Sequence, residues 1–255
     1  MNNSPLDNMF VIAGAQRSGT TYLYQILDSH PEIYMAKPMR PEPKFFCIDE
    51  NFNKGKDYYI KKYFHDLPGH CKAAGEKSTS YMSDPKTPER MASLFPNMKI
   101  IFVLRNPIER AISNYWFSVQ NNLEKESFEY AVKNEKQRIL SNPMPQFSNH
   151  PFAYLERGEY ITYIERYLKY FPQEQLFFIK SEDLEKRDSL AQLFSFLEVD
   201  DTYYPAEIGR KINDAERKHE VLTPELKAML VEHFRESNER LQEKINMDLS
   251  DWNNY

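Results

Sequence analysis

Cysteine is nearly missing from this chain of 255 residues. Cys47 and Cys71 are too few and too irregularly placed for a disulfide framework or a zinc site, so both read as reduced, buried thiols. No stretch approaches the roughly 18 consecutive apolar residues that a membrane-crossing helix needs. The N-terminal MNNSPLDNMF has neither a basic region nor an apolar one. The expectation is no signal peptide and no membrane span, hence a cytoplasmic enzyme or a soluble domain excised from a larger chain. An excess of basic charge is also lacking: 33 Lys and Arg against 38 Asp and Glu give a net charge of −5. That balance argues against wholesale binding of nucleic acid or of an anionic membrane, and any anion site must be built locally. Internal repeats and low-complexity tracts are absent too. The histidines show no metal-ligand spacing, so no metal is expected; His30 reads as the end of a helix beside Pro31, and His65 is a reserve candidate for a base.

What is present is bulk. Hydrophobic residues make up 41% and aromatics 14%, with 17 Tyr and 17 Phe, enough for a sizeable core in a single domain over residues 1–255. Apolar periodicity switches repeatedly between strand-like runs and helix-like stripes, the α/β pattern. Met9 to Ala13 reads as a buried strand, and the helix after it carries Leu23, Ile26 and Leu27 on one face. Lys99 to Leu104 reads as a second strand, followed by Asn106 as a cap, Pro107 at the first helical position and a stripe of Ile108, Ile112 and Trp116. A helix is expected over 160–171, stopped by Pro172, then a strand over 176–180 and a long amphipathic helix opened by Thr223 and Pro224. Parallel strands need helical crossovers, so the fold class is α/β: three-layer and P-loop-like, with a central parallel β-sheet flanked by helices. Two Pro-rich stretches, 37–46 (KPMRPEPKFF) and 141–152 (SNPMPQFSNHPF), resist assignment and are candidate walls for an acceptor pocket.

The chemistry starts at AGAQRSGTT, residues 13–21. Gly14 and Gly19 have the GxxxxG spacing of a phosphate-binding loop between a strand and a helix, where converging N–H groups and the helix dipole attract an anion. The alternative is an ordinary strand-to-helix turn. A nucleotide-hydrolysing loop would continue with Lys and Ser or Thr, but here Thr20 and Thr21 follow, and the only cation is Arg17 inside the loop. The strand at 99–104 runs into Arg105, where a Walker-B strand would offer an acid. The loop therefore points away from ATP or GTP hydrolysis.

GAQRSGTTYL resembles the 5′-phosphosulfate loop of sulfotransferases that use 3′-phosphoadenosine 5′-phosphosulfate (PAPS), and IIFVLRNPIERAISNYW resembles their 3′-phosphate motif. PEPKFF, GEKSTSY, RGEYITYIERYLKYFP and the terminal DLSDW extend the likeness over nearly the whole chain, closest to the glycan, heparan sulfate type. The Lys-x-His-x-Pro motif of the cytosolic steroid and phenol enzymes is not found. The resemblance implies that Gly14, Ala15, Gln16, Arg17, Ser18, Gly19, Thr20 and Thr21 hold the phosphosulfate. Arg17 stands where many relatives have lysine and would neutralise charge on the leaving oxygen; its guanidinium stabilises rather than donates a proton. Arg105 and Ser113 would grip the 3′-phosphate that distinguishes PAPS from ATP. Glu42 matches the general base for the acceptor, against the plain alternative of a solvated loop glutamate. Lys77 matches a lysine near the sulfuryl group, against a surface charge after a short strand. Lys44 and Tyr81 fall at substrate positions, Lys44 either touching an anionic acceptor or simply exposed. Arg210, Lys211, Arg217 and Lys218 resemble a loop closing over the nucleotide, with Arg217 and Lys218 as donor contacts; a charge run is more often a solvated loop.

The expected reaction is sulfuryl transfer from PAPS to a hydroxyl or amine of a carbohydrate-like or small natural-product acceptor, possible on a lipid- or carrier-bound hydroxyl too, releasing adenosine 3′,5′-bisphosphate (PAP) without a metal. The competing readings are a P-loop kinase for a small molecule or nucleotide, which needs the missing lysine, and a catalytically silent nucleotide-binding scaffold.

Overall fold

The computed structural model describes residues 4–143, 150–206 and 222–254. In chain order its main elements are β1 (Met9–Gly14), α1 (Thr20–Ser29), β2 (Ile33–Met35), α2 (Asp49–Phe52), α3 (Gly55–Tyr63), β3 (Ala73–Lys77), α4 (Thr87–Leu94), β4 (Lys99–Leu104), α5 (Pro107–Gln120), α6 (Phe128–Lys133), α7 (Glu135–Ser141), α8 (Tyr160–Tyr167), β5 (Leu176–Lys180), α9 (Arg187–Phe196) and α10 (Pro224–Ile245). The chain, expected as one domain, gathers into two compact units: residues 1–104 with 166–212, and residues 105–165 with 213–255. Among the described residues no helix is long and apolar enough to cross a membrane.

The first unit holds a five-stranded sheet in the order β2-β3-β1-β4-β5, every pair parallel. All six residues of β1 are buried, with no polar alternation, as a parallel strand covered on both faces requires. On one face Phe10, Ile12, Ile101, Val103 and Ile179 pack against Leu23, Ile26 and Leu27 of α1 and Leu190, Leu193 and Phe194 of α9. Each such aliphatic side chain contributes about 1.5–3 kcal/mol on full burial. On the other side Phe102 meets the rings of Tyr167 and Phe178. The sequence-derived α/β class and the strands at 9–13, 99–104 and 176–180 match this sheet.

The second unit packs Ile108, Ala111 and Tyr115 of α5, Phe128 and Val132 of α6, and Leu226, Leu230 and Phe234 of α10 into a core of its own. Asn106 caps α5 by accepting the Ile108 N–H at 3.0 Å, with Pro107 at the first helical position as expected. Thr223 caps α10 by accepting from Leu226 N at 3.2 Å. One boundary differs: the helix expected over 160–171 ends at Tyr167. Pro172 disfavours helical backbone before it, and residues 168–170 form a turn.

Candidate active site

In the first unit, β1 delivers the chain into the glycine loop. Ala15 N–H donates to Val103 O at 2.8 Å, which ties the loop to β4. A Cβ added to Gly14 would lie 2.7 Å from Met82 Cβ. Gly19 adopts φ +93°, a left-handed conformation that L side chains avoid, and a Cβ there would also meet Leu184 Cδ1 at 2.8 Å. α1 then begins at Thr20 with no side-chain cap, unlike α5 and α10. Its first-turn N–H groups are left to something other than a capping side chain. Ser18 Oγ is buried inside the loop and has no hydrogen-bond partner. Arg17, at φ 71°, also sits in the left-handed region. An uncapped helix start beside a buried, unpaired hydroxyl fits a phosphate-like anion.

The second element of the site is the 42–46 segment. Glu42 Oε1 pairs with Lys77 Nζ, Oε2 accepts the Thr79 N–H at 3.0 Å, and the Thr79 hydroxyl reaches both oxygens at 3.2 Å. The Lys77 side chain is 3% exposed and that of Glu42 16%, so neither the surface charge nor the solvated glutamate describes these residues. β3 places Lys77 beside Ile12 of β1. The chain after it stays alongside, with Ser78 N–H on Ile12 O at 3.1 Å and Met82 N–H on Ala13 O at 3.0 Å. Glu42, Lys77 and the start of the glycine loop thus gather at the carboxyl ends of β1 and β3, where open α/β sheets place ligands.

Among the described residues Lys77 Nζ, Thr79 N and the Thr79 hydroxyl are the donors to Glu42, and they hold its carboxylate at a fixed place beside the glycine loop.

Lys44 is half-buried with φ 47°, and its N–H donates to Ser78 Oγ at 2.9 Å. Tyr81, expected at the substrate, is instead fully buried. Its hydroxyl donates to Glu76 Oε1 at 2.6 Å and accepts from Phe45 N at 2.9 Å, so it supports the site from behind. Four residues absent from the sequence-derived set complete the arrangement: Thr79, Ser78, Glu76 and Tyr59. Glu76 is the one with a signal in the sequence, a carboxylate next to Lys77 directly after the small residues Ala73, Ala74 and Gly75.

In the second unit, Arg105 directly follows β4. Its guanidinium grips Glu109 Oε2 through Nε and a terminal nitrogen at 2.9 and 2.8 Å. Ser113 lies two turns into α5 and is partly exposed. The Arg105 carbonyl accepts from the Tyr160 hydroxyl at 2.9 Å, and Tyr160 is fully buried. Arg210, Lys211, Arg217 and Lys218 lie outside the described residues, as do residues 144–149 of the second Pro-rich stretch. Cys47 and Cys71 are free and buried; burial pushes the Cys47 thiol up to about 12. His30 ends α1, buried against Phe194 and Tyr203.

Comparison with known proteins identifies the family. A family model described as Sulfotransferase domain matches residues 7–237. The crystal structure of a sulfotransferase from Alicyclobacillus acidocaldarius is 29% identical with a TM-score of 0.77, and the match covers 95% of this chain and 97% of that one. Membrane-associated sulfotransferase kil1 of Dictyostelium discoideum is 25% identical over 96% of this chain and 66% of its own length. Heparan sulfate glucosamine 3-O-sulfotransferase 5 of Homo sapiens is 32% identical over 68% of this chain and 48% of its own length. The chain thus spans between about half and two thirds of these two curated relatives.

Proposed function

We propose the following reaction for a chain that belongs to the sulfotransferase domain family: it transfers a sulfuryl group from PAPS to a hydroxyl of a carbohydrate-like acceptor. The acceptor oxygen attacks sulfur in line with the bridging oxygen to phosphate. Glu42 takes the acceptor's proton, a new S–O bond forms, and the electron pair of the broken S–O bond stays on the phosphate oxygen of PAP. Lys77 and Thr79 hold the Glu42 carboxylate in one orientation. The uncapped start of α1 and the Ser18 hydroxyl receive the phosphosulfate, and Arg17 neutralises the charge that develops on the leaving oxygen. By the same family likeness, Arg105 and Ser113 bind the 3′-phosphate. The carbohydrate acceptor draws support from the heparan sulfate relative and from the Glu42 segment that resembles it.

The observation that carries this reading is the Glu42 carboxylate held by Lys77 and Thr79 at the carboxyl ends of β1 and β3, beside the start of the glycine loop. The kinase alternative lacks support in the family match and in the loop, where Thr20 stands in place of the needed lysine. Calorimetric titration with PAP and, separately, with ATP and magnesium is expected to favour PAP; preference for ATP would sink the reading. With labelled PAPS and a heparan-type oligosaccharide, Glu42→Gln is expected to lose about 10²- to 10⁴-fold in kcat while PAP affinity holds. Retained turnover would remove Glu42 as the base, and PAP binding without any wild-type turnover on a panel of hydroxyl and amine acceptors would favour the silent scaffold.

A further inference from the structure

Glu76 is fully buried at the penultimate position of β3, and it touches no surface from which an acceptor could arrive. Among the described residues every hydrogen bond to its carboxylate comes from a hydroxyl: Tyr81 at 2.6 Å and Tyr59 at 3.4 Å on Oε1, Ser78 at 2.9 Å on Oε2. Two of these hydroxyls are relays. Ser78 accepts the Lys44 N–H and Tyr81 accepts the Phe45 N–H, both at 2.9 Å. A hydroxyl has one proton to give and two lone pairs to offer. An ionised carboxylate only accepts, so it draws both protons inward and turns both hydroxyl oxygens toward the backbone of residues 44 and 45. Glu42 lies two residues before the first of those anchors. The adjacent Lys77, held by the same strand, grips the Glu42 carboxylate.

We propose that Glu76 is a positioning residue for Glu42: through Ser78 and Tyr81 it pins the backbone of Lys44 and Phe45, and so fixes the segment from which the Glu42 carboxylate projects. This rests on the reading of Glu42 as the base. The charge state of Glu76 matters because a protonated carboxyl is a weaker acceptor for both relays and brings a donor of its own that competes with one of them, so both anchors loosen. The ionisable groups that act on Glu76 are Glu42 on the facing segment, Lys77 beside it and Tyr81 after β3. It acts in turn on Tyr59 and Tyr63 of α3, on Cys47 and on Tyr167. Burial drives its pKa from 4.5 up to about 7, against the pull of the Tyr81 and Ser78 hydrogen bonds; Glu42 raises it further and Lys77 lowers it. The anchors therefore respond to pH near neutrality.

The test uses the intact protein. The ¹⁵N–¹H signals of Lys44 and Phe45 are followed across pH 5 to 9, roughly two units either side of the expected midpoint. Both are expected to titrate together near pH 7 in the wild type and in Glu42→Gln, and to go flat in Glu76→Gln. With PAPS and the heparan-type oligosaccharide, Glu76→Gln should lower kcat by roughly tenfold or more, as a misplaced catalytic group does, with PAP affinity nearly unchanged. Added to Glu42→Gln it should cost nothing further, because it acts through Glu42. Flat wild-type signals, or an additive loss in the double variant, would overturn the proposal. Full activity in Glu42→Gln would instead remove the base reading and leave the amide titration to decide the anchoring. Should Glu76→Gln not fold, Ser78→Ala decides: the Lys44 signal alone should lose its titration, and loss at both amides or at neither refutes the relay.

Discussion

Glu76 in the first unit and Glu124 in the second are both buried carboxylates with several donors, yet their pKa values move in opposite directions. Among the described residues the Glu76 carboxylate is hydrogen-bonded by neutral hydroxyls alone, and burial lifts it to about 7. Burial pushes Glu124 up as well, but Arg138 overrides it: its two terminal nitrogens donate to Glu124 Oε2 and Oε1 at 2.9 and 2.8 Å. The N–H groups of Glu126 and Lys125 and the Tyr154 hydroxyl add to the pull, and Glu124 ends below its ordinary value. The charge of the partner, more than the depth of burial, sets the direction. One carboxylate is locked as an anion and ties the chain after α5 to α7; the other is held near its switching point beside the candidate base.

Removing the locked partner should have the largest effect. Arg138→Ala leaves Glu124 buried without its cation and strips the guanidinium from the face of Phe152, 4.0 Å away. A loss of about 3–5 kcal/mol is expected in urea unfolding at neutral pH. The lowered pKa of Glu124 means that the stability it supplies is present above its ordinary 4.5 and lost as pH falls through the native value. The cost of Arg138→Ala should therefore shrink in acid. A cost below about 1 kcal/mol at neutral pH, as for a surface pair, would break the comparison.

Glu76 predicts a slope of the other sign. Between pH 4.5 and about 7 the folded protein holds a proton that the unfolded chain has released. Unfolding releases it, so raising the pH through that window lowers stability, by at most about 3 kcal/mol for a rise of this size. The stability of Glu76→Gln relative to wild type should improve as pH rises from 5 to 8, while its turnover does not. A difference between the two proteins that stays constant over that range would mean that Glu76 is not raised at all.

Much of this was legible in the sequence where the pattern is local. The apolar run before Gly14, Asn106 with Pro107 at the head of α5, and Thr223 with Pro224 at the head of α10 each carry their signal within a few residues. Glu42 and Lys77 were singled out by likeness to a family, and the structure brings them into one ion pair across 35 positions of chain. What stayed hidden depends on contacts between segments far apart. The burial of Tyr81 follows from packing against Phe46 and from a hydrogen bond to Glu76, and no periodicity reports that. The division into two units follows spatial proximity, with the second unit drawing on two separated stretches. In the same way Thr79 looks like any strand-end threonine until Glu42 is placed against it.

The smallest change offers the sharpest reading of which donors hold Glu76. Tyr59 is fully buried, and its hydroxyl stands 3.4 Å from Oε1, against 2.6 Å for Tyr81 on the same oxygen. At that distance a hydrogen bond is marginal. Tyr59→Phe removes the hydroxyl and keeps the ring among Phe45, Phe46 and Phe95. The lost bond and the relieved burial of a polar group nearly offset, so stability should change by less than about 1 kcal/mol in either direction. The shared midpoint of the Lys44 and Phe45 signals should rise only slightly, since Tyr81 and Ser78 remain. Those two hydroxyls touch both Glu76 and the anchored backbone, whereas Tyr59 touches the carboxylate alone. A rise of more than about one unit, equivalent to about 1.4 kcal/mol, would show that the third hydroxyl carries weight its geometry does not suggest, and the two-relay account of the anchor would have to give way to a three-donor one.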